Sequence, residues 1–281
     1  MQLKIDDLVF SYSSVPVLND VTLDLNGPKL ISILGPNGVG KSTLIHCINK
    51  ILTPVSGTVM IDGQDVGGIK LKDMAKIVGY VPYSSNDTFP LTVVDTVLMG
   101  RHPYSTWNSL DHDLDIVYDT LERLGISDLA MRPFNELSAG QHQKVMLARG
   151  LVQEPKVLLL DEPTSNLDVR HQLDVVKMLR ELSREKNMLV VMICHDINIA
   201  AKFSDEIILL DKGTVYAVGT PDEVITPSNL EEVYGVESVV INDLGSPHVI
   251  LRDAVPLCKD NSEGKLIPQR RAVQAGSESL V

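Results

Sequence analysis

The run Gly35-Pro36-Asn37-Gly38-Val39-Gly40-Lys41-Ser42-Thr43 carries the spacing G-x-x-x-x-G-K-[ST]. In such a loop successive backbone N–H groups wrap a phosphate chain, the Lys reaches its terminal groups, and the Ser hydroxyl ligates Mg²⁺. The loop predicts binding of a nucleoside triphosphate. Further along, Asp161-Glu162 places two carboxylates side by side after the apolar run Val157-Leu158-Leu159-Leu160. Adjacent carboxylates at a strand end are costly unless a cation lies beside them, and Mg²⁺ at the phosphate loop would supply it. Asp161 is then the metal holder, through water, and Glu162 the general base that polarises the attacking water. His195 closes another apolar run, Leu189 to Cys194. A lone His there is more often a structural hydrogen-bonding group, but this one falls at the sheet edge where α/β folds bind ligands.

Two further features are weaker by themselves. Tyr12 could stack on a purine base, although a strand aromatic is more often simply half buried. Ser138 and Gln141 form a capping box, which needs no function beyond starting a helix, yet the uncluttered Ser138-Ala139-Gly140 is also a second anion site.

These groups need a scaffold, and the patterning supplies one. Leu30 to Leu34 reads as a short apolar strand entering the loop, and Leu44, Ile45, Ile48, Ile51 and Leu52 recur at helical spacing after it. Before the loop, Leu8 to Tyr12 and Val21 to Leu25, interrupted by Pro16, Asn19-Asp20 and Asn26-Gly27, predict an antiparallel β layer. Strands are expected again at Ser56–Gly63 and Ile77–Val81. From about Ser84 to Gly150 the pattern becomes helical: Thr92 and Asp95 cap one helix, and Leu110, Leu114, Val117, Leu121 and Leu124 mark another that stops at Gly125. Asp168 suits the N-cap of a helix carrying Leu173, Val176, Leu179 and Leu182. Glu206 to Val215 and Val239 to Leu251 read as hairpins, with a short helical region between them at Pro221 to Val224. Past Pro256 the chain is polar, and a mobile tail is expected beyond about Lys259.

Composition narrows the classes. The 281 residues, 44% of them hydrophobic, suffice for a large core, and no apolar run approaches a membrane span. A net charge of −12 argues against general nucleic-acid binding. Cys47, Cys194 and Cys258 are too scattered for a disulfide framework or a zinc site.

Taken together, the chain resembles the ATP-binding subunits of ABC transporters from Leu3 to about Asp253. Leu137-Ser-Ala-Gly-Gln141 is close to the family's LSGGQ signature, and it lies between the phosphate loop and Asp161-Glu162. The resemblance makes Ser165-Asn166-Leu167-Asp168 a D-loop and His195 the switch histidine. It implies an α/β fold: a P-loop NTPase core with a mainly parallel sheet, an N-terminal antiparallel β layer and an inserted helical subdomain at about 84–150, all within residues 1–258, then a tail at 259–281. The ATP-binding residues would be Tyr12, Gly35, Pro36, Asn37, Gly38, Gly40, Lys41, Ser42 and Thr43, with Ser42 and Asp161 on Mg²⁺ and Glu162 and His195 catalytic. In the family the signature serves a partner's site, so Ser138, Ala139, Gly140 and Gln141 would face the ATP held by a second copy of the chain.

Three stretches resemble the branch serving importers of ferric siderophores, haem and vitamin B12: Phe89 to Tyr104, His195 to Ala200, and Ile225 to Val236. That branch implies two transmembrane permease subunits, an extracytoplasmic substrate-binding protein, no nucleic acid, and a place on the cytoplasmic face of the membrane. One position departs from the pattern: Tyr83 stands where the family carries a Gln whose amide approaches Mg²⁺. The competing readings are a soluble ABC-type ATPase that remodels a protein or cluster assembly, and a P-loop GTPase or small-molecule kinase. The latter is weakened by the absence of an N-K-x-D base-reading motif.

Overall fold

In the computed structural model the described residues are 1–83, 91–104, 109–165 and 167–255, with the backbone alone of 257–259 and 266–268. Strand β1 (Gln2–Ser11) pairs antiparallel with β2 (Pro16–Asn26), and both bury one face, Leu3, Ile5, Leu8 and Phe10 against Leu18, Val21, Leu23 and Leu25. The apolar positions slip out of strict alternation twice, between Ile5 and Leu8 and between Leu18 and Val21. Each slip contains a left-handed residue, Asp7 at φ 49° and Asp20 at φ 54°. An extra residue in each strand forms a bulge that returns the next apolar side chain to the buried face. Asn19-Asp20 therefore bends β2 rather than ending it, and Pro16 opens that strand, where no ladder donor is needed.

β3 (Lys29–Leu34) leads to α1 (Lys41–Ile48), followed by β4 (Ser56–Ile61), β5 (Gln64–Asp65), α2 (Leu71–Ile77) and β6 (Val78–Val81). Helix α1 is shorter than its apolar spacing suggests. The left-handed Lys50, φ 57°, and Pro54 beyond it stop the helix before Ile51 and Leu52. The helical subdomain consists of α3 (Val93–Leu98), α4 (Leu110–Arg123) and α5 (Ala139–Leu151). The Thr92 hydroxyl accepts from the Asp95 amide, and Gly125, φ 64°, ends the α4 region. The chain continues with β7 (Val157–Leu160), α6 (Val169–Glu185), β8 (Leu189–Ile193), α7 (Ile197–Phe203), β9 (Glu206–Asp211) and β10 (Thr214–Gly219). It closes with α8 (Pro221–Val224), α9 (Pro227–Tyr234) and the antiparallel pair β11 (Val236–Asp243) and β12 (Ser246–Ala254). Two short strands, β13 (Leu257–Lys259) and β14 (Leu266–Pro268), pair with each other, β13 ending where the tail was expected to begin and β14 lying inside it; the rest of that stretch lies outside the described residues. So do Ser84–Pro90, where the helical subdomain was expected to start, and Asn166 of the D-loop stretch.

The central sheet has the order β10-β9-β3-β8-β7-β6, parallel throughout except for the edge strand β10. Its inner strands β9, β3, β8 and β7 are covered on both sides, which is why they read as unbroken apolar runs. Leu158 and Leu160 point into the core shared with α3–α7, while Val157 and Leu159 point into the core shared with α1 and the sheet β2-β1-β4-β5. No helix among the described residues is long and apolar enough to cross a membrane.

Candidate functional site

β3, β8 and β7 are neighbours and run parallel, so the segments leaving their C-terminal ends meet at one edge. β3 delivers the phosphate loop, β7 delivers Asp161-Glu162, and β8 delivers His195. Two glycines give the loop its path. Gly35 adopts φ +143°, and a Cβ there would lie 2.3 Å from the Leu210 carbonyl oxygen; Gly40 adopts φ +102°, and a Cβ would meet Leu18 at 2.7 Å. Between them Asn37 and Gly38 are exposed and Pro36 is partly so, leaving the crown of the loop open to a ligand. Lys41 is 6% exposed, and its Nζ donates to the carbonyls of Gly35 at 2.7 Å and Pro36 at 2.8 Å. Burial holds this ammonium below its ordinary value, against the pull of Glu162 and Asp161.

The Ser42 hydroxyl donates to Asp161 Oδ1 at 3.2 Å. Asp161 is buried, and burial raises its carboxyl above the usual range; the Ser42 bond acts against this, and the Glu162 charge adds to it. Glu162 stands in the left-handed region at φ 53°, an unfavourable backbone for a residue with a side chain, and Ser165 holds the turn by donating both its amide and its hydroxyl to the Glu162 carbonyl. The result aims the Glu162 carboxylate at His195, whose Nε2 lies 2.5 Å from Glu162 Oε1. The loop, both carboxylates and the histidine predicted from the sequence thus form one cluster.

Tyr12 lies one residue past the end of β1 and is 66% exposed, not half buried. Its ring meets Phe10 edge to face at 4.9 Å, and its hydroxyl is 3.5 Å from Thr43 Oγ1. An aromatic face is therefore held open beside the loop. Tyr83 follows β6 at the same sheet edge and is 49% exposed.

The signature residues lie elsewhere. Ser138 and Gln141 bond each other in the expected capping box at the start of α5, which packs on α3, α4 and β6. Ser138 and Ala139 are exposed, and no hydrogen bond or ion pair among the described residues joins Ser138–Gln141 to the phosphate-loop cluster. Gly140 lies against the ring of His171, a Cβ there coming within 3.2 Å of it, and Asp168 caps α6 by accepting from His171 at both its amide, 2.9 Å, and its ring Nδ1, 2.8 Å. The signature thus lies against α6, the helix that Asp168 of the D-loop caps.

Two contributors escaped the sequence reading. His46 of α1 meets Tyr80 of β6, ring nitrogen to hydroxyl, at 3.0 Å, and burial with the Asp161 charge pushes the Tyr80 phenol up to about 12. Tyr234 of α9 accepts a hydrogen bond from the amide of Gly35, at 2.8 Å. Each links residues too distant in sequence for local periodicity to register.

The sequence model of the ABC transporter family matches residues 18–165. An uncharacterized ABC transporter ATP-binding protein of Methanocaldococcus jannaschii is 44% identical over 250 residues, 89% of this chain and 98% of the relative. A hemin import ATP-binding protein of Bordetella avium is 38% identical over 262 residues, 90% of this chain and 100% of the relative. A solved inward-facing structure of an ABC transporter, assigned to the metal-chelate type, matches with a TM-score of 0.77 at 29% identity, over 90% of this chain and 97% of its own. The chain belongs to the ABC transporter ATP-binding family, and it is an ATPase.

Proposed function

We propose that this ATPase powers an importer, binding two permease subunits at the cytoplasmic face of the membrane and driving uptake of an iron complex, either a ferric siderophore or haem, or of a corrinoid such as vitamin B12. An extracytoplasmic binding protein completes the system. Residues 1–258 form the ATPase domain, with the helical subdomain at about 84–150, and 259–281 form a tail. The kinship with a hemin import protein and a metal-chelate-type transporter supports this reading. The soluble remodelling ATPase has no comparable support.

The observation that carries the mechanism is the division of the site. Loop, carboxylates and histidine are assembled at one sheet edge, while the second anion-binding helix end, Ser138 to Gln141, faces outward from the subdomain. Two copies stacked head to tail would each place this helix end against the ATP held by the other. Lys41 and the loop amides bind the phosphates, Tyr12 stacks on the base, and the partner's helix end meets the γ-phosphate. Glu162 accepts the proton of a water that attacks the γ-phosphorus, the bond to the ADP oxygen breaks, and His195 holds Glu162 in position and senses the γ-phosphate. A hydroxyl and a desolvated carboxylate already in contact, Ser42 and Asp161, suit Mg²⁺, which would neutralise phosphate charge there.

Tyr12→Ala should weaken ATP binding by about 1–3 kcal/mol, the usual worth of a base stacked on an aromatic ring, whereas Tyr12→Phe should bind as the natural chain does. Isothermal titration of the two variants checks this. Tyr83 lacks the amide of the Gln expected there, so Tyr83→Gln should raise permease-stimulated ATPase activity. An unchanged or lower rate with folded protein counts against that account. The import reading is tested by tagging the chain in its host, identifying what co-purifies with it from solubilised membranes and from the soluble fraction, and measuring growth on haem, a ferric siderophore or cobalamin as sole source. A multi-span partner and loss of growth on one source on deleting the gene support it; a stable complex with soluble proteins alone contradicts it.

A further inference from the structure

The loop entry is fixed from outside the ATPase motifs. Gly35 is buried, and its N–H points to the phenol of Tyr234, the last residue of α9, 199 positions away. The next peptide unit is fixed differently, through the Gly35 carbonyl accepting from Lys41. Lys41 is also the group that turns to the phosphates, so ligand binding competes with its bond to that carbonyl. The Tyr234 bond then remains to hold the backbone at the point where β3 turns into the loop. A buried amide without an acceptor is costly, so removing the phenol oxygen frees this hinge to search for another partner.

Tyr234 is itself well anchored. Gly235, φ 66°, ends α9 and turns the chain into β11, against which α9 packs. Strand β12 is tied to α7 by two bonds: the Val249 amide donates to Asn198 Oδ1 at 2.7 Å, and Asn198 Nδ2 donates to the Val249 carbonyl at 3.2 Å. Helix α7 starts directly after His195-Asp196. The unit from α9 to β12 therefore grips the helix behind the histidine and, through one phenol, the entry of the phosphate loop.

We propose that Tyr234 is a positioning residue for ATP binding: its hydroxyl holds the loop entry in the form that accepts phosphate, so the C-terminal unit sets the affinity for nucleotide. The inference rests on Gly35–Thr43 being the ATP site. Burial pushes the phenol up to about 12, so the acceptor remains a neutral hydroxyl oxygen across the physiological range.

Tyr234→Phe keeps the ring and removes only the oxygen. When the binding-ready form is only a fraction of the population, apparent affinity falls by that fraction, here about 3- to 10-fold, while saturating ATP restores the loop. The dissociation constant and KM for ATP should rise by that factor, kcat should stay within about twofold, and the unfolding temperature should fall by no more than a few degrees, the cost of one unpaired amide. Tyr216→Phe removes another phenol bond to α9, to Glu232 at 3.0 Å, without touching the loop, and should leave affinity unchanged. Lys41→Ala should lose binding. Unaltered affinity in Tyr234→Phe beside lost binding in Lys41→Ala overturns the role of Tyr234 and leaves the site standing. An equal loss in Tyr216→Phe also overturns it, because general loosening of α9 would then suffice. Normal binding by Lys41→Ala would remove the site reading and the proposal with it.

Discussion

Glu162→Gln should retain ATP binding and lose at least about 100-fold in turnover, the low end of what a general base contributes. The substitution is nearly isosteric and leaves an amide that can still bond His195, so the geometry of the turn is preserved. What disappears is the carboxylate oxygen that takes the water proton; of its neighbours, Asp161 is engaged by Ser42 and His195 is the group that positions Glu162. The left-handed backbone of Glu162 is held by the two Ser165 bonds to its carbonyl, which the substitution does not touch. Single-turnover hydrolysis and nucleotide titration on one preparation check both halves of this prediction. Turnover near the natural rate with intact binding removes Glu162 from the role.

The second large effect concerns a residue far from that carboxylate. Ala139→Asp should lower turnover by at least about 100-fold while leaving ATP binding to a single chain unchanged. Ala139 is the exposed first residue of α5, where an acid interacts favourably with the helix dipole, so the variant should fold at least as well as the natural chain. The same charge would face the γ-phosphate of the partner's ATP. Two like charges 4 Å apart at an effective dielectric constant of 20 repel by about 4 kcal/mol, equivalent to several hundredfold even if partly screened. Steady-state ATPase assays and the unfolding temperature of the variant check this.

Much of the site was legible because its parts are local. The glycine loop, the carboxylate pair, the Ser138–Gln141 capping box and the Thr92 cap, which is one-way rather than the reciprocal box that Thr92 and Asp95 suggest, are each a few residues long, and each is bounded by a buried apolar strand or an amphipathic helix. Parallel order then brings them to one edge. Other features were illegible for equally physical reasons. The bulges at Asp7 and Asp20 interrupt the alternation that marks a strand, so Asn19-Asp20 reads as a break although β2 continues through it. The short helices α2 and α9 offer too few turns for a period to emerge, and with α9 the Tyr234 contact to Gly35 stayed hidden. The early end of α1 was signalled by Pro54, which the apolar spacing of Ile51 and Leu52 outweighed.

The central claim is that each ATP site is completed by another copy of the chain, and mixing two defective chains tests it most directly. With Glu162→Gln in both to slow turnover, one chain carries Lys41→Ala and the other Ala139→Asp. Alone, each should retain no slowly exchanging ATP, because every site in its dimer lacks either the loop lysine or a usable helix end. Mixed, they pair one intact loop with one intact helix end, and the account predicts one retained ATP per two chains. A mixture that retains no more than its separate components would contradict it.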